Sequence, residues 1–144
     1  MQFRHLRLGT RVSLLVLGLA SFSSAAAQEA KREAASNLAI SAGRDTFRQF
    51  CAPCHGFDAK GRGPVAAALN VPPTDLASEK RRNKGQFPLA ALEAMLSSTG
   101  LQPTAHGSTQ MPVWGATFRR IDDSETLVRA RIANFLAYLE SIQE

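Results

Sequence analysis

Residues 56–87 constrain what this chain can fold into more than any other segment. They read GFDAKGRGP, NVPPTD and EKRRNKGQFP around one short run, VAAAL (65–69), which alone could make a helical turn. A stretch this long with so little regular structure is unusual inside a compact domain. It is tolerable where the loop wraps something large that is not protein, so the flanking sequence has to say what is enclosed.

The flanks are helical. From about Asn37 a pattern begins with Leu38, Ile40, Phe47 and Phe50 placed to put several on one face, and it runs into Cys51. Gly43 lies inside it at a cost of roughly 1 kcal/mol relative to alanine. A glycine there points to another element packed closely against the backbone. Pro88 suits a first helical position, and Leu89, Leu92 and Leu96 form a stripe that Gly100 and Pro103 end. Residues 101–120 read as loop. A last helix opens with Asp122 and Glu125 in capping-box spacing and carries Leu127, Val128, Ile132, Phe135, Leu136, Leu139 and Ile142 on one stripe. No strand pattern and no internal repeat is visible. The fold class read from this is all-α, with three main helices and long loops.

The amino terminus reads differently. Arg4, Arg7 and Arg11 precede the apolar run VSLLVLGLASF (12–22), and Ala25 and Ala27 stand in A-x-A spacing before Gln28. That order is the pattern of a cleaved secretory signal over 1–27. An uncleaved anchor would need about 20 apolar residues to cross the hydrocarbon core. Residues 28–36 (QEAKREAAS) are expected to be flexible and frayed, and 37–144 to form the folded domain. Cleavage would leave 117 residues, enough for one modest core. It would also remove three of the 17 basic residues and none of the 12 acids, taking the formal net charge from +5 to +2. A sequence pI near 9.9 therefore overstates the basicity of the mature chain, and nothing argues for nucleic acid as a partner.

Both cysteines sit in CAPCHG, Cys51 and Cys54, with His55 next. A disulfide across so short a loop stabilises little and makes sense mainly as a redox centre. Such centres follow a strand in a βαβ unit, whereas here a helix precedes the pair. Structural zinc wants four ligands, and His106 is the only other histidine after the leader. C-x-x-C-H is also the attachment signal for haem c. Each thiol adds across one vinyl group to give a thioether, and the adjacent histidine can turn its imidazole onto the iron. An export signal and the absence of any other cysteine agree with that chemistry.

With these residues in view, the chain resembles the monohaem class I c-type cytochromes of bacterial electron transport, over roughly Ile40 to Ile142. GRDTFRQFCAPCHG is similar to that family's N-terminal helix and haem site, GRGPVAAALNVPPTDL to the following loop, QMPVWG to the distal ligand loop, and IANFLAYLES to the C-terminal helix. The resemblance implies a cytochrome c fold wrapping one covalent haem c. It also implies terminal helices crossing at Gly43, with Phe47 against Phe135 or Tyr138, and a Pro64 carbonyl accepting from the proximal imidazole.

Three side chains could supply the sixth iron ligand. Met95 lies in an amphipathic helix, where methionine is usually core filler. His106 would give bis-histidine ligation, or is an ordinary loop histidine. Met111 stands before Pro112 in an otherwise structureless loop, and its thioether would raise the potential as an electron carrier requires. Met111 is the expected ligand. Trp114 either packs beside the haem, bonds a propionate through its indole N–H, or is a core aromatic.

The run KRRNK (Lys80, Arg81, Arg82, Lys84) is a solvated loop or, with Lys60 and Arg62, a docking patch that steers acidic partners. The function expected is one-electron transfer in the periplasm by haem c with His55 and Met111 as axial ligands. The chain would act as a free carrier or as the cytochrome subunit of a dehydrogenase or oxidase. Its partners would be redox proteins, and it would be neither an enzyme in itself nor membrane-spanning after cleavage. The alternative is a haem enzyme or gas-binding haem protein with an open sixth iron site.

Overall fold

The computed structural model describes residues 10–100 and 110–144, with side chains from residue 25 onward. Every regular element among these residues is helical, in keeping with an all-α chain. The chain divides into two compact units at Ser36/Asn37.

The first helix, α1, spans Thr10–Thr46. Residues 28–36, expected to fray, are helical, and every side chain from Ala25 to Leu38 is exposed. Alanine, glutamate, lysine, arginine and glutamine all favour helix, so this stretch keeps its conformation with little burial to support it. Among the described residues no helix is long and apolar enough to cross a membrane.

The unit from Asn37 to Glu144 holds the core. After α1 come a π-helical turn (Phe47–Cys51), α2 (Ala52–His55), α3 (Glu79–Arg82), α4 (Leu89–Ser97), α5 (Trp114–Ile121) and α6 (Glu125–Ser141). α4, α5 and α6 pack on one another. Leu96 and Phe118 meet Val128, Ile132, Phe135, Leu136 and Leu139 from α6, with Phe47 fully buried among the core residues. The close approach expected at Gly43 is to α6: a Cβ there would lie 1.9 Å from the Asn134 carbonyl oxygen. One turn on, the Phe47 ring stacks on Phe135 (centroids 6.4 Å apart) and tilts against Tyr138 (5.4 Å).

Several sequence expectations need correcting. Residues 114–120, read as loop, belong to α5, which buries Phe118 and ties to α4 through Arg119 Nη1 donating to the Ser97 carbonyl (3.1 Å). Residues 76–82, read as irregular, form a 3₁₀ turn (Leu76–Ser78) continuing into α3. The cap of α6 is Ser124, whose hydroxyl accepts from the Leu127 N–H, and not Asp122. Asp122 instead takes two hydrogen bonds from Arg131, from Nε at 2.8 Å and Nη2 at 2.9 Å. Leu38 (72% exposed), Leu89 (47%) and Leu127 (54%), each first in its predicted stripe, stand outside the core. Helical periodicity marks a face without saying where the partner helix stops covering it.

Candidate functional site

The π-helical turn delivers the cysteine pair. Wide i→i+5 bonding inserts one residue into the helix, and such bulges recur at functional sites. Here the Ala52 N–H reaches back to the Phe47 carbonyl, and Cys51 is left buried at the junction with α2. α2 is a single turn that ends at His55, where Gly56 adopts φ +80° and its N–H bonds the Ala52 carbonyl (2.8 Å).

The loop that follows folds back over this turn. The Gly61 N–H bonds the His55 carbonyl (2.8 Å), Gly63 N–H the Cys54 carbonyl (2.9 Å) and Val65 N–H the Pro53 carbonyl (3.1 Å). Gly61, at φ +79°, lets a second strand of loop pass: a Cβ there would sit 2.2 Å from the Pro73 carbonyl oxygen. The chain at 73–74 therefore runs past the histidine. His55 Nδ1 donates to the Thr74 carbonyl at 3.0 Å.

This overturns Pro64 as the imidazole's partner. Pro64 is exposed on a run whose neighbours bond the Pro53 and Cys54 carbonyls, whereas Thr74 brings its carbonyl to the ring. A proton on Nδ1 leaves Nε2 as the lone pair able to bind a metal. Burial pushes the imidazole below its ordinary pKa, against the opposing pull of the Thr74 carbonyl and the Glu79 charge, which favours the neutral, ligating form.

The two thiols are free, Cys51 buried and Cys54 partly so. Burial, with a smaller contribution from Cys54, pushes the Cys51 thiol up to about 12. Reactive redox pairs need the opposite, a thiolate stabilised near neutral pH. Among the described residues no three His, Cys, Asp or Glu side chains gather as a metal cluster.

Cys51, Cys54 and His55 border a cavity of about 390 Å³ that Met111, Met95 and Trp114 also line. Leucine, valine, proline and phenylalanine side chains make up most of the remaining wall, with Glu79, Arg82 and Gln110 as its longer polar members. That volume falls within the about 300–1,000 Å³ of ligand clefts, and the mainly apolar lining is usual for them. Trp114 is held edge-on against Phe50 (5.8 Å) and stacked on Phe118 (5.5 Å), so it is at once core aromatic and cavity wall. The Met111 loop is fastened across the cavity by Gln110, whose side-chain carbonyl accepts from the Asn70 N–H (2.9 Å). His106 lies outside the described residues. Of the expected set, then, Cys51, Cys54, His55, Met111 and Trp114 share one cavity, and Pro64 does not. What sequence reasoning missed is Thr74, which acts through a backbone carbonyl that no side-chain pattern announces.

The basic run is less uniform than its sequence. Arg82 turns to the Asp75 carbonyl (2.6 Å), Ser78 and Glu79, Lys60 pairs with Glu144 (2.7 Å), and Arg62 pairs with Asp58 (2.9 Å). Lys80, Arg81 and Lys84 remain exposed around the end of α3.

No protein-family model, curated protein or solved structure matches this chain. Any functional reading therefore rests on the residues themselves.

Proposed function

We propose that this chain is a monohaem c-type electron-transfer protein with a cytochrome c fold, exported to the periplasm. The observation that carries the reading is the convergence of two free thiols, an imidazole and a methionine thioether on one apolar cavity. These residues fit haem c in kind and number. Cys51 and Cys54 would hold it through thioethers, and His55 and Met111 would ligate its iron. When bound, the haem supplies a one-electron Fe(III)/Fe(II) couple.

The protein's own part is to fix ligands and exclude water. Thr74 orients His55 and raises its basicity as a ligand, while Gln110 fastens the Met111 loop. Leu92, Leu96, Phe135 and Leu139 supply apolar wall. A thioether opposite histidine favours the reduced iron, which suits a carrier. Lys80, Arg81 and Lys84 would steer acidic redox partners, with Lys60, Arg62 and Arg82 largely spent on internal pairs.

The test is to express the chain with its leader in a host that matures c-type cytochromes, then stain the denatured periplasmic protein for haem. Covalent haem, together with the charge-transfer band of thioether-ligated ferric iron, is the expected result. An unstained protein would dismiss the haem reading. Stained protein lacking that band would transfer the case to a haem protein with an open sixth site.

A further inference from the structure

Just past α6, Gln143 spends its whole side-chain amide on one stretch of backbone and its own helix. Nε2 donates to the Leu76 carbonyl (2.9 Å) and to the Leu139 carbonyl (2.8 Å), and Oε1 accepts from the Lys80 N–H (2.8 Å). The next residue adds a fourth tie, Glu144 N–H to the Ala77 carbonyl at 2.9 Å. The segment so gripped, 76–80, is the continuation of Thr74, and it is anchored on its other side by the Leu76 N–H donating to Ala59 (2.8 Å). Thr74 in turn presents the carbonyl that accepts from His55. Hydrogen bonds at either end of the backbone stretch 74–76 thus link the end of α6 to the imidazole.

We propose that Gln143 is a positioning residue for His55: by locking segment 76–80 to α6 it fixes the Thr74 carbonyl that holds the imidazole, and so tunes the iron's reduction potential. The role rests on the haem reading above. The physical link is general. A hydrogen bond from the distal ring nitrogen of a ligating histidine raises its basicity and fixes its orientation. A more basic ligand favours the ferric state, so loosening that bond should raise the potential. No surface charge is involved, which separates this effect from that of the nearby cations.

The test uses the holoprotein and two variants, with haem staining of the denatured wild type as the first reading. Gln143→Met removes all three side-chain bonds. Gln143→Asn keeps an amide and adds no charge but is one methylene too short for these bonds, and serves if the methionine variant does not fold. Both should raise the reduction potential and speed exchange of the His55 Nδ1 proton roughly tenfold, the size expected for a lost hydrogen bond. Val128→Ala, a buried change on the first turn of α6, controls for lost stability and should move neither reading. If the wild type carries no covalent haem, the haem reading fails and takes this role with it. If haem is bound but Gln143 variants shift neither potential nor exchange beyond Val128→Ala, Gln143 is merely structural and only this proposal falls.

Discussion

Gly43 lies so close to Asn134 that a Cβ on the glycine would be 1.9 Å from the Asn134 carbonyl oxygen and 2.9 Å from the Tyr138 Cβ. Backbone therefore touches backbone where α1 meets α6. The contact brings Phe47 one turn on into the core with Phe135 and Tyr138, and Phe47 opens the π-helical turn that carries Cys51. A helix crossing and the cysteine site are thus one construction.

Replacing Gly43 with alanine tests that crossing. In an open helix the change would gain about 1 kcal/mol from propensity. Here the new methyl meets backbone, which cannot rotate aside, and overpacking of this kind costs about 1–3 kcal/mol, occasionally more. The net outcome expected is a loss of stability, seen as a lower urea midpoint at unchanged slope. A stabilised Gly43→Ala protein would mean that the helices do not touch there.

The Asp122–Arg131 pair gives a pH signature. Two hydrogen bonds from Arg131 hold the Asp122 carboxyl below the ordinary carboxylate range, and Arg131 also lies over the rings of Phe50 and Phe118. The folded pKa is thus lower than the unfolded value of about 3.9. Its stabilisation is fully present above that unfolded value and is lost as pH falls through the folded one. Asp122→Asn should cost about 1 kcal/mol at pH 7, the upper end for an ion pair near solvent. The difference from wild type should close on acidification, in urea melts taken from neutral to strongly acid pH. A difference that stays constant would show that Asp122 acts by packing rather than by charge.

How much of this was legible in the sequence depends on how local each cause is. Gly43, Phe47 and the α6 stripe declare themselves through helical period and size, and the structure puts them in contact. Cys51, Cys54 and His55 are adjacent in the chain, so one turn of helix suffices to present them. Asp122 was misread because Asp and Ser both cap helices, and only the tie to Arg131, nine residues on, decides between them. α5 escaped because Gly115 and Thr117 lower its propensity, while burial of Phe118 and the Arg119 bond to Ser97 sustain it. Thr74 is nineteen residues from His55 and acts through its backbone. Periodicity carries no trace of such a contact.

The cysteines should prove separable. Cys51 is buried in the core and Cys54 is more exposed. On the haem reading, Cys51→Ala or Cys54→Ala leaves one thioether at most, so the absorption of the reduced haem should shift toward that of an unreduced vinyl group. The double variant should lose all haem on denaturation. Cys51→Ala should in addition destabilise the fold more than Cys54→Ala, because it removes a core sulfur. Haem staining and thermal melts read the two effects independently, and full staining of the double variant would contradict attachment at this motif.

The two methionines on the cavity wall should likewise part company. Met111 comes from the loop fastened by Gln110, while Met95 belongs to α4 and packs against the buried core. Met111→Ala should abolish the thioether-to-iron charge-transfer band and lower the reduction potential, because the ligand that favours ferrous iron is gone. Met95→Ala should keep the band and the potential near wild type and instead cost about 2 kcal/mol of stability, the low end for truncating a core side chain, because Met95 is only partly buried. The paired measurement is a ferric absorption spectrum and a redox titration on each variant. Loss of the band in Met95→Ala with its retention in Met111→Ala would exchange the two roles and move the sixth ligand from the loop to the helix.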